Sequence, residues 1–339
     1  MTKLQTECSD FHVIRKHLSQ GRNLKILHEF YRFRVLTIEQ HSVRLRYTKG
    51  SLCHFLARLL KSGLIQSKGI KGYTVNDERK GKYYSVLNKG ITFLSDNDYE
   101  VPLRAEDIKM SDMRVSYELE VNNLANEFQL IGWSLLSIRE VKREYGLNRG
   151  DNLHGSLSSP VLKEYPFYLF LNNDRISNRW LNRVVREVNK YGFRNMILLT
   201  DGEETFKRVF QAMFSKVEAF TYEQFMLMSL RFGKEYMKHY VDTDLLYDFI
   251  RDEVDIVRVE QEAGVDYHTS FELVEFEGDE YYLANMLNNN LANIHHIKQY
   301  TREKYMEYGR KLLLLMDIVT NSVIRYEELL ETVHYIEYI

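Results

Sequence analysis

The chain has 339 residues, 44% of them apolar and 28% charged, with a formal net charge of −2. That is the composition of an ordinary soluble globular protein, long enough for two or three packed domains. It has no apolar run near the roughly 18 to 20 residues that cross a bilayer, no apolar core in its first stretch MTKLQTECSDFHVIRK, and no CxxC spacing between Cys8 and Cys53. These features argue against a membrane span, a signal peptide, a disulfide framework and a thiolate zinc site, so a cytoplasmic protein without membrane contact is expected.

The charge is unevenly placed. Residues 1–95 carry 18 Lys plus Arg against 6 Asp plus Glu, whereas the remainder carries 28 against 42. Between Tyr47 and Leu94 the first acid is Asp77, and only Glu78 follows. A strongly basic end on a nearly neutral chain is an electrostatic reason to expect a polyanion there.

In chain order, Leu24, Leu27, Phe30 and Tyr31 recur at helical spacing from Asn23 onward, giving a first amphipathic helix. Thr37 with Gln40 forms a capping box that opens a second helix through about Leu45. Thr48 or Ser51 starts a third, in which Leu52, Phe55, Leu56, Leu59 and Leu60 share one stripe while Ser51, His54, Arg58 and Lys61 share the opposite one. Gly63 stops that helix, and GLIQSK and KYYSVLN on either side of a Lys- and Gly-rich connection read as an antiparallel hairpin.

Three helices followed by a hairpin is the winged helix-turn-helix arrangement, whose third helix lies in a major groove of double-stranded DNA. Residues 1–95 are therefore expected to be a DNA-binding domain. Its groove contacts would be Ser51, His54, Arg58 and Lys61, with Lys49, Lys68, Lys71, Arg79, Lys80 and Lys82 at phosphates. Because helix-turn-helix proteins dimerise to read paired half-sites, a homodimer is a candidate assembly.

The polar stretch 96–112 reads as a linker. A long helix follows, marked by Val115, Leu119, Leu124 and Phe128. SLLSIREVKREYGLNRGDNLHGSLSSP mixes strand and turn signals, and then the runs PFYLFL (166–171) and NMILLT (195–200) have the length of strands buried on both faces. Trp180, Leu181, Val184, Val185 and Val188 mark a helix between them that ends at Gly192, which makes a parallel βαβ unit.

The C-terminal part repeats this order. A hairpin turning at 277–279 is followed by a helical segment NIHHIKQYTREKYMEYG and a buried strand KLLLLMDI, while YEQFMLMSLRFGKEYMKHY and RYEELLETVHYIEYI read as helices able to form an interface. The likeness of KYGFRNMILLTD to EYGRKLLLLMDI suggests an internal duplication. The expected layout is thus a mixed α/β body with domains at 113–235 and 236–339, the latter a second copy or an oligomerisation region.

Catalytic signatures are sparse. The chain has no GxSxG elbow and no P-loop, the adjacent His295 and His296 point to different sides of a helix, and the HxxR strings at His12 and His41 lie in the basic domain rather than upstream of a late tyrosine nucleophile.

The segment from about Asn23 to Leu94, with RLLKSGLI and YYSVLNKGITFL, resembles the N-terminal winged helix of the replication-relaxation family of plasmid and mobile-element proteins. The portion that follows, through about Phe210, is similar in order to that family's second domain. The resemblance implies a restriction-endonuclease-like sheet, whose site places Pro-Asp before a pair of acidic or Lys residues on the next strand. In the matching stretch SSPVLKEYPFYLFLNNDRIS, Val161 follows Pro160 and Asn172 stands at the first acidic position, leaving Asp174 alone in place. A divalent cation that activates water needs more than one placed carboxylate. The expectation is therefore a non-enzymatic DNA-binding protein without a cofactor, acting in plasmid or phage replication, relaxation or mobilisation, or in transcriptional control. The alternative is a metal-dependent nuclease using Asp174, Glu164 or Asp201.

Overall fold

The computed structural model describes residues 21–70, 81–148, 150–159, 163–171, 176–218, 221–239, 256–258, 271–315 and 336–338, a mixed α/β chain that divides into two compact units, Met1–Glu127 and Phe128–Ile339. In the first unit, α1 (Gly21–Phe33) buries Leu24, Leu27, Phe30 and Tyr31, the stripe that the helical spacing marks out. Each such side chain contributes about 1.5 to 3 kcal/mol when fully withdrawn from water.

After β1 (Leu36–Thr37), Thr37 opens α2 (Ile38–Leu45) with a closed capping box: the Gln40 amide donates to Thr37 Oγ1 at 3.2 Å and the Thr37 amide to Gln40 Oε1 at 3.0 Å. Thr48 caps α3 (Lys49–Lys61), whose inner stripe Leu52, Leu56 and Leu59 is buried. Gly63 follows with φ +66°, the left-handed geometry that ends helices and that glycine adopts without a Cβ clash. β2 (Ile65–Gly69) and β3 (Lys82–Val86) pair antiparallel from Ile65↔Val86 to Gly69↔Lys82, and β3 also pairs antiparallel with β1, so the sheet order is β1-β3-β2. α4 (Asn88–Ser95) closes this part.

The first unit continues past residue 95. Within 96–112, α5 (Ala105–Ile108) is tied back by Arg34 Nε, which donates to the Ile108 carbonyl at 3.3 Å, and by Asn88 Nδ2, which donates to Glu106 at 2.6 Å. Helix α6 (Asp112–Leu130) then bonds to the N-terminal helices through amide side chains. Asn122 Nδ2 donates to the Val35 carbonyl at 2.7 Å, Asn126 Nδ2 to the Gln40 carbonyl at 3.1 Å, and Gln40 Nε2 to the Leu119 carbonyl at 2.6 Å. Arg44 reinforces them: it pairs with Glu29 at 2.7 Å, lies 3.4 Å from the Phe33 ring centroid, and reaches Asn126 at 3.2 Å. Removing one partner of such a buried pair is costly, because the other charge is left unpaired. The unit boundary accordingly falls inside α6, after Glu127, rather than ahead of that helix.

The second unit begins with β4 (Ser134–Ser137), α7 (Ile138–Glu144), β5 (Gly155–Ser158), β6 (Glu164–Phe170), α8 (Asn178–Tyr191), β7 (Asn195–Thr200), α9 (Glu203–Lys216), β8 (Gln224–Ser229) and α10 (Leu230–His239). Its first sheet has order β4-β5-β6-β7-β8, the first two pairings antiparallel and the last two parallel. The run YEQFMLMSLRFGKEYMKHY, which reads as helical, is instead strand β8 and then α10. Its residues Phe225–Met228 are buried and pair with β7, and a core strand of this kind carries no alternation to separate it from a buried helix.

Next come β9 (Val257–Arg258), β10 (Glu272–Phe276), β11 (Asp279–Asn285), α11 (Leu291–Lys298), α12 (Arg302–Tyr308), β12 (Lys311–Leu315) and β13 (Ile336–Tyr338). The segment NIHHIKQYTREKYMEYG is two helices, broken between Lys298 and Arg302. Glu277 and Gly278, both at positive φ, make the two-residue turn of the β10–β11 hairpin. Of RYEELLETVHYIEYI only Ile336–Tyr338 are described, and they form a strand.

The second sheet, β9-β10-β11-β12-β13, again has two antiparallel pairings followed by two parallel ones. The two similar segments occupy the same place in the two sheets: Gly192 (φ 58°) and Gly309 (φ 71°) each cap a helix in left-handed geometry just before the fourth strand. Phe170, Leu198 and Phe225 from one sheet and Tyr282, Leu312 and Leu314 from the other belong to one buried cluster. The exposed-edge problem of β8 is solved by a run of asparagines: Asn290 Oδ1 accepts from the Phe225 amide at 2.8 Å, and the Asn288 carbonyl accepts from the Leu227 amide at 3.0 Å.

Candidate nucleic-acid interface

Helix α3 shows how the first unit could meet a polyanion. Its buried stripe fixes the rotation of the helix, so Ser51, His54, Arg58 and Lys61 all lie on the outer side and are exposed. At 100° per residue these four fall within an 80° sector and span about 15 Å of helix. The Thr48 cap leaves the first turn free of acids, so the positive end of the helix dipole is uncompensated. Arg58 is folded along the helix, with Nε donating to the His54 carbonyl at 3.4 Å and the guanidinium 4.9 Å from the Phe55 ring centroid. No carboxylate holds it among the described residues.

Lys49 sits apart from that sector. It forms an exposed ion pair with Glu39 of α2 at 3.3 Å, a contact worth little in water and readily exchanged for a phosphate. Ser51 lies in the cap itself, where its amide and its hydroxyl oxygen both face Thr48 Oγ1. Lys68 and Lys82 stand exposed at the end of the hairpin that adjoins its connecting loop, in adjacent registers of the β2–β3 ladder. Lys71, Arg79 and Lys80 lie outside the described residues. The structure adds Arg46, which the spacing does not single out: it is exposed in the turn between α2 and α3 at φ 54°, an uncommon conformation for a residue with a Cβ.

Beneath this surface, His41 of α2 is wholly buried with neither ring nitrogen hydrogen-bonded, and its ring meets Phe30 edge-on at 4.4 Å. Burial, followed by the nearby Arg44 charge, lowers its pKa to about 3, so it is neutral at physiological pH.

In the second unit the carboxylates considered for a metal are dispersed. Glu164 opens β6, where it accepts from the Tyr145 hydroxyl. Asp201 follows β7 and bonds through its amide to Phe170, at the far end of β6. Six residues of strand, on the order of 20 Å, separate the two ends. Asp174 lies outside the described residues, and among the described residues no group of three His, Cys, Asp or Glu is arranged to hold a metal ion.

A buried polar cluster links α8 to the approach to β5. Glu187 accepts from the Asn152 amide at 2.8 Å, from Asn152 Nδ2 at 2.6 Å and from the Tyr168 hydroxyl at 3.2 Å, and Trp180 Nε1 donates to Asn152 Oδ1 at 3.0 Å. Burial raises the Glu187 pKa against the effect of these bonds. The arrangement pins a loop to a helix. Comparison of the chain with protein-family models, with curated proteins and with solved structures gave no match.

Proposed function

We propose that the first unit is a winged helix that binds double-stranded DNA without catalysing a reaction, α3 entering the major groove and the β2–β3 hairpin lying along the adjoining backbone. The observation that carries this reading is the outer sector of α3. Ser51, His54, Arg58 and Lys61 are exposed there, no acid shares the sector, and the neighbouring hairpin presents Lys68 and Lys82. A helix that docks on protein would instead show apolar or aromatic anchors.

Base-edge contacts fall to Arg58 and His54, whereas Lys61, Lys68 and Lys82 neutralise phosphates and fix register. A role in plasmid or mobile-element replication, relaxation, mobilisation or transcriptional control, in the cytoplasm and as a homodimer, is part of the same proposal and rests on the family resemblance. The test is a titration of a labelled duplex with the whole chain over a range of salt. Binding that falls steeply with salt supports the reading; a chain that ignores duplex DNA at low ionic strength overturns it.

A further inference from the structure

Helix α8 was recognisable in the sequence by its apolar side, but its other side has a distinct character. Every exposed residue of the helix is Asn, Arg or Lys: Asn178, Arg179, Asn182, Arg183, Arg186, Asn189 and Lys190. Arg179, Arg183, Arg186 and Lys190 follow one another at four-, three- and four-residue steps, which confines them to a sector of about 60° and a row of about 16 Å.

The only acid in the helix, Glu187, is turned inward and consumed by Asn152 and Tyr168. Among the described residues none of the three arginines is in an ion pair. Arg186 bonds only to the Asn182 carbonyl of its own helix, at 3.3 Å. Lys190 at the end of the row bonds to the Tyr191 hydroxyl at 3.1 Å, which in turn donates to Asp151, and Glu203 of α9 pairs with Lys207 at 2.9 Å. Lys216, at the end of α9, leans onto the row and donates to Asn182 at 2.8 Å.

We propose that this face of α8 is a second DNA-binding surface, one that takes the phosphate backbone of a duplex independently of the winged helix. Residues 96–339 carry 28 basic against 42 acidic residues, so a helix face this uniformly cationic departs sharply from the rest of that region. Arginine forks match phosphate oxygens bidentately, and a straight row of about 16 Å can lie along the near side of one strand's phosphate backbone. The face carries no aromatic or aliphatic anchor, which an acidic protein partner's interface core or insertion into a lipid surface would call for. With no base-reading geometry of its own, it supplies affinity without sequence preference.

The test uses fluorescence anisotropy of the whole chain on a random-sequence labelled duplex. It compares wild type, Arg179→Gln/Arg183→Gln/Arg186→Gln, the corresponding triple Lys variant, and Arg58→Ala/Lys61→Ala in the first unit. Loss of three phosphate contacts lowers the magnitude of the log K against log salt slope by about 2.7 and weakens binding about a hundredfold near physiological salt. The triple Lys variant, which keeps the charge, retains most of the slope.

The inference is overturned if the triple Gln variant, with an unchanged melting temperature, keeps the wild-type slope and affinity. That is also the outcome expected if the row serves an acidic protein. Arg58→Ala/Lys61→Ala reports on the winged helix separately, so a loss confined to that variant removes the α8 surface and leaves the first reading in place.

Discussion

His41 makes the first unit acid-sensitive by an amount that follows from its burial. The imidazole is fully enclosed, without a hydrogen bond on either nitrogen, its ring against Phe30 and Arg44 three residues on along its own helix. Its pKa in the folded chain is about 3, against 6.5 for a free side chain. Because the folded-state value is the lower one, the unfolded chain binds the extra proton. Stability is therefore complete above pH 6.5 and declines as pH falls from there toward 3. At pH 5 the loss from this one group is about 2 kcal/mol, and its limit at strong acid is about 5 kcal/mol.

Since the protein has two units, a single global transition need not report the effect. The opening free energies of buried α1 amides such as Leu27 and Phe30, measured by native-state hydrogen exchange at pH 7.5 and pH 5, do so directly. Carboxylates titrate in the same range, so the informative quantity is the difference from His41→Leu, which keeps an apolar group in the site and cannot be protonated. Wild type should lose about 2 kcal/mol more than the variant between the two pH values. Equal losses would show that His41 is hydrated or hydrogen-bonded in solution and would refute the burial argument.

Two further outcomes follow. Asn122→Ala strands the buried Val35 carbonyl and should destabilise the first unit by about 1 to 3 kcal/mol in denaturant unfolding followed by tyrosine fluorescence, whereas a change within a few tenths would mean that α6 is not stitched to α1 as described. Arg58→Ala should weaken binding to a selected duplex by about 1 to 3 kcal/mol and blunt its preference over random sequence, measured by competition; an unaltered preference would remove Arg58 from the groove.

The elements legible in the sequence were those whose signal is local. The Thr37–Gln40 capping box, the Leu52–Leu56–Leu59 stripe, Gly63 at the end of α3 and the Glu277–Gly278 turn each depend on neighbours a few residues apart, and all appear in the structure. What was not legible depends on distant partners. Asn122 and Asn126 look like solvent-facing polar residues, and Gln40 like a cap alone, until α6 is laid against α1 and α2, which is why the first unit extends beyond residue 95. The asparagines at 288–290 read as loop composition, yet they complete the edge of β8 some sixty residues away. β8 itself, apolar on both faces, has no period by which to separate strand from helix. The α3 surface was readable because its charges interrupt a clear apolar stripe. The α8 row was not, because its freedom from acids depends on Glu187 being turned inward.

The claim that the first unit meets duplex DNA through neutralised phosphates is tested most directly by the salt dependence of labelled-duplex binding by the whole chain carrying Arg179→Gln/Arg183→Gln/Arg186→Gln, in which the α8 row contributes nothing. The three phosphate contacts of Lys61, Lys68 and Lys82 predict a log–log slope of about −2.7 or steeper, and an affinity that drops at least about fortyfold between 50 and 200 mM salt. A slope near zero, or no binding at the lowest salt, would contradict it.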